Sequence, residues 1–170
     1  DDFINSIANA FQYISYYHPK DFVDAVYEAW QKETNQSAKN AMGQILTNSR
    51  MSAMGHRPIC QDTGSAVVFL DIGMNVQWDL QGSAMSVEDM VNEGVRRAYN
   101  NPDNPLRASI LVDPISKRQN TKDNTPAVIH YKLVPGNKVD ITVAAKGGGS
   151  ENKSKLAMLN PSDSIVDWVL

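Results

Sequence analysis

Two strand-rich runs, residues 128–134 and 138–145, flank the turn tripeptide Pro135-Gly136-Asn137. β-Branched residues broken by such a turn predict an antiparallel hairpin. The second run ends at Lys146 and passes straight into a glycine-dense segment, Gly147-Gly148-Gly149-Ser150-Glu151-Asn152-Lys153-Ser154. Upstream the period changes. Phe3, Ile4, Ile7, Phe11 and Ile14 recur at helical spacing, up to Pro19. A second stripe, Phe22, Ala25, Val26, Ala29 and Trp30, follows Asp21 as its cap. A third, Ala38, Ala41, Met42, Ile45 and Leu46, follows Ser37.

Residues 50–65 lack periodicity and read as a loop. Residues 66–72 read as a strand, with 76–78 a short partner. Ser86-Val87-Glu88-Asp89 resembles a capping box that opens a helix reaching Tyr99. Residues 109–112 read as a brief strand and 113–126 as a polar loop. Helices come first, and strands with one inserted helix come second. That order predicts an α+β fold with a mainly antiparallel sheet: a helical lobe over residues 1–49 and an α+β lobe over 50–170.

Charge and cysteine usage narrow the function. The chain has 170 residues, 16 basic and 19 acidic, with a net charge of −3. No basic block points to nucleic acid. No apolar run approaches the roughly 18 residues of a membrane span, and the N-terminus lacks the pattern of a signal peptide. Cys60 is the only cysteine, so no internal disulfide can form and a cytoplasmic protein is expected. Asn160-Pro161-Ser162-Asp163 reads as a helix start, and Ile165 to Leu170 as an apolar helix cut short, as if the rest of the protein were missing.

Cys60 lies in Ile59-Cys60-Gln61-Asp62-Thr63-Gly64. A lone cysteine is commonly a small buried hydrophobe, but a polar loop is a poor place to hide one. Here it suggests a thiolate ligand beside a carboxylate acid/base, Asp62. Asp62-Thr63-Gly64 before an apolar strand also resembles the catalytic turn of aspartic proteases. Those need two carboxylates sharing a proton, so a homodimer would be required. The segment Lys146-Gly147-Gly148-Gly149-Ser150 is not a P-loop, where the lysine follows the glycines. Its backbone N–H groups can still face an anion, which leaves a non-catalytic anion-binding domain as a third reading. Arg107, at a loop-to-strand junction, can fork a carboxylate. His18, His56 and His130 show no ligand spacing; His130 reads as a structural strand residue, and His56 as structural or adjacent to a site.

Arg57-Pro58-Ile59-Cys60-Gln61-Asp62-Thr63-Gly64 and Ala145-Lys146-Gly147-Gly148-Gly149-Ser150-Glu151-Asn152-Lys153, with Asn124-Thr125-Pro126-Ala127 between them, resemble the class I iron–sulfur fumarate hydratases. The L-tartrate dehydratases share these motifs. The resemblance implies a hydro-lyase interconverting fumarate and (S)-malate, with a 4Fe-4S cluster held by three cysteines. Cys60 matches the first ligand. Gln61, Asp62, Arg107, Gly148 and Gly149 match substrate-binding positions, and Asp62 also matches an acid/base group. The other two cysteines and a C-terminal domain are absent, so the chain alone is expected to hold no cluster and to have little activity. The whole enzyme is expected to be a homodimer that takes a small dicarboxylate.

Overall fold

The computed structural model describes residues 1–80, 82–148 and 155–170. Its elements are α1 (Asp2–Tyr16), α2 (Lys20–Lys32), α3 (Gln36–Gly55), β1 (Ser65–Gly73), α4 (Val87–Tyr99), β2 (Val128–Val134), β3 (Val139–Lys146) and α5 (Ile165–Val169). Helices and a three-stranded sheet make the α+β fold that the sequence predicts.

Helix α1 buries Ile4, Ile7 and Phe11, the stripe that its spacing gives. Against them pack Val91, Val95, Ala98 and Tyr99 of α4. The two helices approach so closely that a Cβ on Gly94 would lie 2.8 Å from Ile7. Beneath them Ala66, Val68 and Leu70 of β1 complete the core. Burying each such Val or Leu side chain contributes about 1.5–3 kcal/mol. The polar side chain Gln12 enters this apolar face because its amide is fully used. Its Nε2 donates to Ala98 O at 2.7 Å and Asn104 O at 3.0 Å, and its Oε1 accepts from Asn104 Nδ2 at 2.9 Å. Helix α4 starts at the expected capping box, with Ser86 and Asp89 capping one another's backbone N–H.

The start of α3 differs from the Ser37 cap. Asn35 caps instead, its side chain accepting from Ser37 N and Ala38 N. Its end differs too. Residues 50–55, expected in a loop, complete the helix, which closes at His56 in a left-handed conformation of φ 47°. Met51 and Met54 are exposed there, so no buried stripe marks this last stretch. Residues 76–78 form no strand; Trp78 packs edge-on against Phe3, with ring centroids 5.1 Å apart. Of the strand expected at 109–112, only a single bridge, Leu111 to Asn120, forms.

The sheet corrects the hairpin. Its order is β2-β1-β3, with β1 in the centre. β1 pairs in parallel with β2, Val67 opposite Val128, and antiparallel with β3, Val68 opposite Val143. The sheet is therefore mixed rather than mainly antiparallel. The turn at Pro135-Gly136-Asn137 does reverse the chain, but it carries it across the end of β1. Gly73 N donates to Lys138 O at 2.8 Å and Asn75 N to Gly136 O at 2.8 Å. A Cβ on Gly73 would sit 2.5 Å from Gly136 O, so the crossing needs glycine there. The inserted helix α4 belongs to the long connection that a parallel pair requires.

Candidate active site

The segment after α3 is held at both flanks. Ile59 N donates to Ser15 O of α1 at 2.9 Å, and Asn48 Nδ2 of α3 donates to Ile59 O at 2.9 Å. Cys60 follows, a free and exposed thiol. Its Sγ accepts the N–H of Asp62 at 3.4 Å and donates to Gln61 Oε1 at 3.5 Å. The side chains of Cys60 and Gln61 are thus tied within their own turn.

Asp62 reaches further. Its Oδ1 accepts from Gly64 N at 3.2 Å and from Gly148 N at 3.3 Å. The cysteine turn and the glycine segment, far apart in sequence, meet at this carboxylate. Gly64 makes the meeting possible. Its φ is +73°, and a Cβ would fall 2.6 Å from Lys146 O. Only glycine combines that backbone conformation with that approach. Gly148 therefore enters the site through Asp62. Gly149 lies outside the described residues.

Arg107 joins through its backbone, its carbonyl oxygen accepting from Thr63 Oγ1. Its side chain is exposed. Tyr99, at the end of α4, donates its hydroxyl to Thr63 O at 2.8 Å. Burial pushes the Tyr99 phenol up to about 12, with Asp62 adding to the rise and bonds to Asn124 and Thr63 opposing it. The hydroxyl therefore remains a donor throughout the neutral range. Beside it opens a cavity of ≈ 140 Å³ lined by residues including Phe11, Ile14, Cys60, Asp62 and Ala145. It is smaller than the roughly 300–1,000 Å³ of sites for drug-sized ligands and suits a small one. Larger clefts, of ≈ 500 and ≈ 590 Å³, lie against α1 and α3 and against α2 and α3, and neither is lined by Cys60 or Asp62. Reactive groups rather than volume single out the smaller cavity.

The histidines lie outside this cluster. His130 stacks on Phe69 at 4.8 Å, as expected of a structural strand residue. His56 stacks on Tyr16 at 4.6 Å and lies 3.3 Å from the Tyr17 hydroxyl. His18 contacts Ser49 Oγ at 3.0 Å, and burial lowers its pKa. Among the described residues no three His, Cys, Asp or Glu side chains converge on a metal position. Sequence reasoning missed Thr63, Tyr99 and Ser109 as parts of the site and gave Asn124 no role. Thr63 fell within the cysteine motif and Asn124 within Asn124-Thr125-Pro126-Ala127, whereas Tyr99 and Ser109 lay in neither.

Residues 4–170 match the family model described as fumarate hydratase (Fumerase). The chain is 33% identical over 163 residues to the "Putative L(+)-tartrate dehydratase subunit alpha" of Methanocaldococcus jannaschii, covering 94% of this chain and 55% of that protein. It is 34% identical over 134 residues to the anaerobic class I fumarate hydratase of Escherichia coli K12, covering 76% of this chain and 23% of that protein. It is 29% identical over 161 residues to the L(+)-tartrate dehydratase subunit alpha of Escherichia coli UTI89, covering 92% and 50%. The chain thus spans about half the length of the tartrate dehydratase subunits and about a quarter of the fumarate hydratase.

Proposed function

Because the chain belongs to the fumarate hydratase family, we propose that it supplies the Cys60–Asp62 part of an iron–sulfur hydro-lyase that interconverts fumarate and (S)-malate. The observation that carries this reading is the Asp62 carboxylate held by Gly148 N–H at 3.3 Å beside an exposed thiol. Cys60 fits as one thiolate ligand of a 4Fe-4S cluster. It is the only cysteine here, so the remaining thiolates would come from outside this chain. When bound, such a cluster supplies a Lewis-acidic iron that binds substrate.

The chain's own groups divide the remaining work. Asp62 carries the proton that hydration adds to one carbon and dehydration removes. Arg107 offers a fork of N–H donors to a substrate carboxylate, and Gln61 adds an amide. Gly148 and Gly149 bind the substrate's anionic end, Gly148 holding Asp62 until substrate competes for it. In the whole protein we place this unit in a cytoplasmic homodimer. The lack of any internal disulfide supports the compartment, and none of the described helices is long and apolar enough to cross a membrane.

A second reading has its own support. The two tartrate dehydratase alpha subunits align with 94% and 92% of the chain, against 76% for the Escherichia coli fumarate hydratase. The reaction would then be loss of water from L-tartrate, by the same residues acting on another four-carbon dicarboxylate. The test is anaerobic reconstitution of the whole protein, followed by assays with fumarate, (S)-malate and L-tartrate. Turnover of fumarate alone supports the first reading, and turnover of tartrate alone supports the second. A cluster-loaded protein that acts on none of them refutes both.

A further inference from the structure

The turn between Asp62 and β1 is gripped at one atom. The carbonyl oxygen of Gly64 accepts from Asn124 Nδ2 at 2.9 Å, with the Ser109 hydroxyl at 3.1 Å and the Tyr99 hydroxyl at 3.4 Å. The other end of the Asn124 amide is also used. Its Oδ1 accepts from Ser109 N at 2.7 Å and from Ile110 N at 3.3 Å. One side chain therefore clasps the Asp62 turn on one side and the segment following Arg107 on the other.

Asn124 is fully buried. Its backbone is left-handed, with φ 60°, a conformation that asparagine tolerates better than most residues. Backbone tolerance alone would be served equally well by glycine. The bonded amide is what glycine could not supply. From Gly64 the hold passes through one residue to the carboxylate, because Gly64 N donates to Asp62 Oδ1 at 3.2 Å. From Ser109 it reaches Arg107, whose carbonyl is tied back to Thr63 Oγ1. The loop is closed: Asn124, Gly64, Thr63, Arg107, Ser109 and Asn124 again.

We propose that Asn124 is the positioning residue that sets Asp62 and Arg107 relative to each other, through its amide rather than its backbone. This rests on the reading of Asp62 as proton carrier and Arg107 as carboxylate clamp. Shifts of about 1 Å in such a constellation cost on the order of 100-fold in rate.

The experiment compares the whole protein with Asn124→Gly and Asn124→Asp. Glycine keeps the left-handed backbone and deletes the amide. Aspartate keeps the acceptor for Ser109 and Ile110 and deletes the donor to Gly64. In Asn124→Gly, backbone amide exchange at Ser109 and Ile110 is expected to accelerate about 10-fold or more, on the scale of local opening, while exchange at Val68 and Leu70 in β1 stays unchanged. Turnover is expected to fall about 10- to 100-fold and KM to rise, with iron content kept. In Asn124→Asp, Ser109 and Ile110 stay protected but turnover still falls. The proposal is overturned if Asn124→Gly leaves both exchange and turnover within twofold of the parent. It is also overturned if exchange accelerates equally at Val68 and Leu70, which marks a residue that only supports the fold. Should Asn124→Gly not fold, the exchange and turnover of Asn124→Asp decide. If the parent itself turns over none of fumarate, (S)-malate and L-tartrate, the proposed function fails, and the exchange measurement still decides whether the Asn124 amide holds the two segments.

Discussion

The Asp62 carboxylate and the Gly148 backbone N–H meet at 3.3 Å, joining the cysteine turn to the segment that leaves β3. The contact depends on antiparallel pairing of Ser65 with Lys146, which brings the ends of the two strands together. The proposed proton carrier, Asp62, and the proposed cluster ligand, Cys60, stand two residues apart, the carboxylate bonded to Gly64 N and Gly148 N and the thiol to Gln61 Oε1.

That separation gives the first prediction. In the whole protein, Asp62→Asn is expected to lower turnover by about 100- to 10,000-fold, the usual cost of losing a positioned acid/base group, while iron content is kept. Cys60→Ser is expected to remove the iron, with activity falling as a consequence. Iron analysis and hydration rates check this. Loss of iron in Asp62→Asn, with Cys60→Ser retaining iron and activity, would reverse the two roles.

Gly64→Ala should destabilise the fold. The left-handed backbone at φ +73° costs a non-glycine residue roughly 1–3 kcal/mol. The clash with Lys146 O adds to this, because that atom is backbone and cannot swing aside. Chemical denaturation checks the prediction; an unchanged midpoint would show that the β1 and β3 ends do not approach as described.

Gly94→Val tests the helix crossing. Its added atoms would meet Ile7 and Ile4 O, where a single Cβ already stands at 2.8 and 2.9 Å. Overpacking of this kind typically costs about 1–3 kcal/mol. A drop in melting temperature is expected, and an Ile7→Ala background should recover part of it. Full stability in the single variant would place α1 elsewhere.

Tyr99 sets an alkaline limit. Its folded pKa of about 12 exceeds the usual value of 10.0, so the fold favours the protonated phenol. The resulting stabilisation, about 3 kcal/mol, is complete below pH 10 and is lost as pH rises through 12. Tyr99→Phe should flatten stability against pH in that window while lowering stability at neutral pH through the lost bond to Thr63 O. Denaturation measured from pH 8 to pH 12 checks both effects; parallel curves for parent and variant would contradict them.

Ser86→Ala should cost about 0.5–2 kcal/mol, since it removes the acceptor for Asp89 N and half of a reciprocal cap. Thermal unfolding measures it, and a variant as stable as the parent would show that the cap is dispensable.

The parts that the sequence made legible depend on neighbours in the chain. Ser86 and Asp89 declare the start of α4 because a cap is a local bond. Ile7 and Phe11 declare the inner face of α1 because helical spacing repeats. The end of α3 carries no such mark, since Met51 and Met54 face solvent and only the polar Ser49 and Ser52 are buried. Sheet order was hidden for a different reason. Alternation along 128–134 and 139–145 tells which side chains share a face, but not that β1 lies between the two strands. At the candidate site, Cys60, Asp62 and Gly148 drew attention in the sequence because their chemistry is unusual in a loop, and the structure brings Asp62 to Gly148. Tyr99 and Ser109 did not, and Asn124 stood in a motif without a role, because what they answer are carbonyl oxygens of Thr63 and Gly64, which carry no signature in the sequence.

The central place of β1 bears on how the molecule comes into being. Of the three strands described, β1 leaves the ribosome first, and both of its partners come later in the chain. Val67 must wait for Val128, and Ser65 for Lys146. Until then a nascent chain holds an apolar strand with two open edges, shielded on one face by α1 and α4 alone. Pairings so distant in sequence are slow to close, and an unpaired apolar strand invites association with other chains. The contact between Asp62 and Gly148 can form only after β3 has docked, so the proposed acid/base group would gain this partner no earlier than the sheet is complete.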